Sequence, residues 1–116
     1  MESDESAQVY APDVVMRYVW DAIKELPGVA DLHRSTLQTL GEKVHLERVR
    51  PVRLEEHDGR HTLEIHLIVR ADAVIPELAA RVRRAVTTYL KTMTGIELDE
   101  VSLFVDDLAP EPASES

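Results

Sequence analysis

The 116-residue chain predicts an α+β domain, with two helices packed on one face of a small mixed or antiparallel sheet. The expected order is β-α-β-β-α-β. Three observations carry this reading. An Asp58-Gly59 pair separates two alternating segments, the pattern of a tight hairpin. Apolar residues from Leu78 to Met93 recur at helical spacing between Pro76 and Gly95. Behind that glycine, Val101, Leu103 and Val105 alternate with Ser102, Phe104 and Asp106, as in a strand with one face buried.

Taken in order, Gln8-Val9-Tyr10-Ala11 predicts a short first strand. Pro12 suits a first helical turn, and Asp13 suits the positive end of the helix dipole. Val15, Tyr18, Val19, Ala22, Ile23 and Leu26 then mark one apolar helix face, with Pro27-Gly28 as its stop. Residues 29–50 read as a long connection, with an irregular helical turn over Asp31 to Leu40 broken at Gly41. Counting outward from Asp58-Gly59 pairs Leu54 with Leu63, Val52 with Ile65 and Arg53 with Glu64. The apolar pairs fall on one face and the opposite charges on the other, which fixes the register. Leu63, Ile65, Leu67 and Val69 then face the core. Thr62, Glu64, His66 and Arg70 face outward, with Ile68 as an apolar exception.

The composition limits the function classes. Aromatics make up 4% of the chain, so the core is aliphatic. There is no cysteine, which removes disulfides, thiolate metal sites and cysteine nucleophiles. No apolar run approaches the roughly 18 residues of a membrane-spanning helix. The acidic start Met1-Glu2-Ser3-Asp4-Glu5 lacks the form of a secretory signal, so a cytoplasmic protein is expected. The net charge is −9, and of the 22 acids seven lie in residues 1–8 and 106–116. That leaves 15 acids against 13 bases, a net of −2, between them. Residues 1–7 and 108–116 therefore read as disordered acidic tails around a domain at 8–107. Acidic ends weigh against general affinity for nucleic acid.

No constellation points to catalysis, a cofactor or a metal. His57 and His66 share a face of the hairpin but stand far apart, and His61 lies on the other face beside Glu56. With His33 and His45 they form no converging ligand set, and surface histidines are the simpler account. The pairs Glu55-Glu56, Asp99-Glu100 and Asp106-Asp107 are sequence neighbours, which on a strand point to opposite faces. Arg81, Arg83 and Arg84 with Lys91 form a basic patch on the second helix, and Arg48, Arg50 and Arg53 form another. Contact with an anionic partner is one reading. A solvated helix face is the other, favoured because no aromatic groups are interleaved for stacking. Trp20 and Met16 lie beside the stripe of the first helix, and Ile68 and Phe104 lie on the outer sheet face. They are either a wide core edge or a partner and self-association surface.

The chain resembles the alkaline shock protein family, the envelope stress response proteins of Gram-positive bacteria. The landmarks are Leu26-Pro27-Gly28-Val29-Ala30, the Glu56-His57-Asp58-Gly59 turn, Val74-Ile75-Pro76-Glu77-Leu78 and Met93-Thr94-Gly95. Their order and spacing span residues 8 to 107. The chain departs from the family pattern at Val74, where Asn is usual, and at Arg50-Pro51, where Gly is usual. The resemblance implies a non-enzymatic cytoplasmic protein of envelope homeostasis, without cofactor or catalytic residues. It also implies homo-oligomers and a small membrane-anchored protein as partner. The residues leave a second reading open, a small nucleic-acid-binding module using the bases of the second helix.

Overall fold

The computed structural model describes residues 10–32 and 50–110. The elements are α1 (Pro12–Ile23), β1 (Val29–Leu32), β2 (Val52–His57), β3 (Arg60–Arg70), α2 (Ile75–Thr94) and β4 (Glu100–Ala109). The class is α+β, with both helices on one face of a mixed four-stranded sheet.

β3 organises the sheet because, among the described residues, it alone pairs on both edges. One edge carries β2 and β1 end to end, both antiparallel. His66 N–H donates to Pro51 C=O and Arg70 N–H to Gly28 C=O, each at 2.8 Å, so both neighbours lie on the same side. The other edge carries β4 in parallel, from Thr62 beside Glu100 to Arg70 beside Ala109. Parallel neighbours need a crossover, and the 20-residue α2 supplies it. The hairpin register is the expected one: Val52 faces Ile65, Arg53 faces Glu64 and Leu54 faces Leu63. Its turn holds Asp58 and Gly59 at φ of 56° and 79°, the positive pair of a type I′ turn.

Leu63, Ile65, Leu67 and Val69 turn inward and meet Val15, Val19 and Ile23 of α1 and Leu78, Val82, Val86 and Leu90 of α2. Val29 and Leu32 of β1 and Val52 of β2 complete the buried cluster. Tyr18 and Tyr89 meet edge to face at 6.1 Å, joining the two helices. Among the described residues no polar or charged side chain is buried.

Four features differ from the sequence expectations. Tyr10 and Ala11 are not in a strand, and Gln8 and Val9 lie outside the described residues. Ala11 instead caps α1, its C=O accepting from Val14 and Val15 N–H at 2.9 and 3.1 Å. α1 ends at Ile23 rather than at Pro27-Gly28, because proline disfavours the helical region for the residue before it. A strand forms at Val29–Leu32, so Asp31 and Leu32 are extended rather than helical; residues 33–40 of that expected turn lie outside the described residues. A register shift between Val29 and Asp31 breaks its alternation, which leaves Val29 and Leu32 both buried. Finally, β4 runs to Ala109, past the boundary expected at 107.

Among the described residues no strand pairs with the outer edge of β4, and its backbone there is partly occupied. A bulge at Asp106 separates the Leu67–Val105 pair from the Ile68–Asp107 pair. Ala71 N–H donates to Ala109 C=O at 2.9 Å, so Ala109 faces β3 and by alternation Leu108 faces the edge. Leu108 N–H is held by Asp107 Oδ1 at 2.8 Å. The extra residue reverses the parity ahead of the bulge and turns Val101 C=O outward. There Arg83 Nε donates to it at 3.2 Å.

Two substitutions test this packing. Gly28 has φ of 102°, and a Cβ there would stand 3.1 Å from Leu78 Cδ2 and 3.3 Å from the Ala73 Cβ. Gly59 shares a positive φ, but its Cβ would meet nothing. Gly28→Ala is expected to cost about 1–3 kcal/mol in urea unfolding, and more than Gly59→Ala. At the start of α2, Val74 is the N-cap residue, offers no side-chain bond and is 59% exposed. Val74→Asn places an acceptor near the Glu77 N–H. It is expected to stabilise by about 1 kcal/mol, read as a rise of roughly 4–8 °C in Tm.

Candidate functional site

The helices lie on one side of the sheet, which leaves its other face without a helix among the described residues. The even-numbered residues of β3 lie there: Thr62, Glu64, His66, Ile68 and Arg70, each half-buried. Parallel register sets Phe104 of β4 beside His66. Their rings stack with centroids 4.7 Å apart and planes 13° from parallel. Phe104 is still 44% exposed, so one face of its ring remains available.

His66 is the best-tethered side chain of this face. Its Nε2 lies 2.8 Å from Glu64 Oε2 and its Nδ1 2.9 Å from Asp106 Oδ2. Glu64 is two residues away on β3 and therefore on the same face. Asp106 comes from the bulge of β4. The ring is mostly covered, at 19% side-chain exposure. Burial opposes its charge, but the two hydrogen bonds and the negative charges of Glu64 and Asp106 outweigh that and raise its pKa. Only the protonated ring donates from both nitrogens; a neutral ring turns a lone pair toward one carboxylate. Asp31 beside Ile68, and Asp107, add negative charge around the centre. Arg53 pairs with Glu55 at 2.8 Å.

α2 presents a different surface. Arg81, Arg83, Arg84 and Lys91 are all exposed. Arg83 leans to β4 and binds Val101 C=O, and Lys91 pairs with Glu97 at 3.4 Å. Arg81 and Arg84 form no ion pair among the described residues. Helical spacing puts Arg81, Arg84 and Lys91 on one stripe, with Arg83 to its side.

The expected partner residues are thus divided. Ile68 and Phe104 sit on the outer sheet face, whereas Met16 and Trp20 are half-buried against the core on α1. The bases gather on α2, on the helix side of the molecule. Of the second basic group, Arg50 and Arg53 line an open cleft of about 330 Å³ between the start of α1 and β2, and Arg48 lies outside the described residues. Tyr10, Glu55, Glu56 and His61 also line this cleft. A smaller apolar groove of about 90 Å³ runs between α2 and β4, lined by Ile75, Leu78, Leu103 and Val105. No group of three or more His, Asp or Glu among the described residues is placed to hold a metal ion.

Comparison with known families decides the assignment. The model of the alkaline shock protein 23 family, described as having a cell envelope-related function, matches residues 1–110. This chain belongs to the alkaline shock protein family. It is the family that the landmarks at residues 26–30, 56–59, 74–78 and 93–95 indicate. No curated protein and no solved structure matches significantly. The described helices of this alkaline shock protein family member include none long and apolar enough to cross a membrane.

Reading the sequence alone misses the His66 cluster, because this histidine looks there like an ordinary surface one. Glu64 at i−2 is a usable signal for one partner. Asp106 requires the parallel register of β4. The cluster has a measurable pH signature. A folded-state pKa above 6.5 gives stability that is fully present below about pH 6.5 and lost as pH rises through the raised value. Thermal unfolding of the wild type and of His66→Gln is expected to differ most in mild acid and to converge in mild alkali. A gap that grows with pH contradicts the clamp.

Proposed function

We propose that this member of the alkaline shock protein family is a non-enzymatic scaffold or adaptor of the cell envelope. It works from the cytoplasm through protein contacts and self-association, and reaches the membrane through a small membrane-anchored partner. The family's envelope-related function supports the setting. The observation that carries the protein-contact reading is the outer sheet face, which holds no helix among the described residues and where Phe104 is 44% exposed and Ile68 lies beside it on β3. Exposed apolar groups rimmed by charge are the usual mark of a contact surface.

A second reading, a nucleic-acid module, is favoured by one feature, Arg81 and Arg84 on α2 without an ion pair among the described residues. It lacks interleaved aromatic groups for base stacking.

Quantitative crosslinking and pull-down from an envelope fraction test the first reading. Recovery of an envelope-associated protein, together with crosslinked copies of this chain, is expected. A strictly monomeric protein without such a partner overturns it. Salt-dependent RNA binding that is lost in Arg81→Glu/Arg84→Glu transfers the assignment to the second reading.

A further inference from the structure

We infer that the groove between α2 and β4 seats an amphipathic helix of a second protein, one with a narrow apolar stripe and a carboxylate that meets Arg83. The inference rests on the protein-contact reading above and adds a surface separate from the outer sheet face.

The first observation is uneven cover. Parallel register sets Val101, Leu103, Val105 and Leu108 of β4 beside Leu63, Ile65, Leu67 and Val69 of β3, so both rows face the helices. The β3 row is at most 2% exposed. The β4 row holds no buried residue, and Val105 and Leu108 are 39% and 51% exposed. Among the described residues the helix layer thus stops one helix short of this sheet edge. Ile75 stands on the opposite wall, at the start of α2, and is also exposed.

The second observation selects a helix. Helical spacing puts the small residues Ala79, Ala80 and Thr87 around Arg83, on the flank of α2 that turns to β4. Small side chains there allow a neighbouring helix the usual approach of about 8–10 Å between axes. Ile75 to Thr87 runs about 18 Å along α2, and Val101 to Val105 about 13 Å along β4, a seat for roughly three helical turns. A strand does not fit. Arg83 holds Val101 C=O, Asp107 holds Leu108 N–H, and the bulge bends the edge between them. A small molecule gains too little enclosure, because the groove is about 90 Å³, against roughly 300–1,000 Å³ for ligand pockets. That space suits a single large apolar side chain, the kind that anchors a docked helix.

The third observation sets the chemistry. Arg83 is the one charged side chain lining the groove among the described residues. Its Nε donates to Val101 C=O at 3.2 Å, which ties the guanidinium to the β4 wall. Its Nη groups make no hydrogen bond or ion pair among the described residues, and they offer the planar fork that suits a carboxylate. The occupant therefore carries Asp or Glu near Arg83, and apolar residues at i, i+3 or i+4, and i+7 toward Ile75 and Val105. The described helices of a second copy do not supply this pattern. The apolar faces of α1 and α2 are committed to the core, and their outer faces present charges such as Arg17 and Arg84.

Photocrosslinking of the full chain in its host cell tests this. Benzoylphenylalanine replaces Val105 or Ile75 on the groove walls, or Phe104 on the outer sheet face, with circular dichroism as the folding control. Crosslinked segments are identified by mass spectrometry. The groove probes are expected to capture one segment of another protein, with apolar residues at helical spacing and an acid at one end. A synthetic peptide of that segment is then titrated against the purified chain. Arg83→Gln and Ile75→Ser are each expected to weaken binding at least tenfold. Arg83→Glu is expected to lose binding and to regain it when the acid of the peptide is exchanged for arginine. Groove crosslinks confined to the same chain, or to a second copy, overturn the occupant. A captured segment without helical spacing or an acid, or binding indifferent to Arg83, overturns the chemistry. Capture of an envelope-associated protein at Phe104 but not at Val105 or Ile75 overturns the inference and leaves the protein-contact reading standing. No capture at any of the three positions overturns both.

Discussion

The structure depends on one constraint: a single strand must satisfy its backbone on both edges while burying only one face. β3 meets it with period-two chemistry. Leu63, Ile65, Leu67 and Val69 are each at most 2% exposed, and the residues between them are polar except Ile68. A slip of one residue would exchange these sets, exposing four aliphatic side chains and burying Glu64, His66 and Arg70. Everything else attaches to that register. β2 reads it through the Asp58-Gly59 turn, β1 extends the same edge, and α2 carries the chain across to the parallel partner. The core then fills from the two helices, which supply mainly Val and Leu in the near absence of aromatics.

The same alternation makes the molecule two-sided. The helix side owes its basic stripe to residues that α2 cannot bury, because its opposite face is committed to Leu78, Val82, Val86 and Leu90. The sheet side carries Asp31, Glu64, Asp106 and Asp107, together with Arg53 and Arg70, at strand positions facing away from the core. Charge separation of this kind needs no excess of bases, since residues 9–105 are nearly balanced. It follows from which residues fall at which period, 3.6 on the helix and 2 on the strands.

Local chemistry is legible in the sequence, and longer-range geometry is not. The hairpin pairs Val52–Ile65 and Leu54–Leu63 follow from one turn signal. The end of α2 follows from Gly95, which takes φ of 82° where a side chain would be strained. β1 is not legible, because four residues with a register shift show no clean alternation and because its pairing with Val69 and Leu67 is long-range. The outward positions of Ile68 and Phe104 follow from alternation alone. Their neighbours do not: the stack of Phe104 on His66 and the bond from Asp106 exist only once β4 lies parallel to β3 with one extra residue. Sequence reading therefore finds the parts of the sheet face but not the contacts that fix them.

The occupied backbone along β4 has a consequence for how such a protein tolerates crowding with its own copies. A ten-residue strand bearing Val105 and Leu108 would ordinarily template cross-β growth, in which main-chain bonding propagates irreversibly and regardless of side-chain identity. Arg83 on Val101 and Asp107 on Leu108 interrupt that template at both ends, and the bulge bends it in the middle. Contact along this edge is thereby left to side chains rather than to the peptide backbone. Backbone pairing cannot be tuned by ionic conditions, whereas side-chain pairing can. The edge thus acts as a kinetic safeguard against main-chain pairing with another strand.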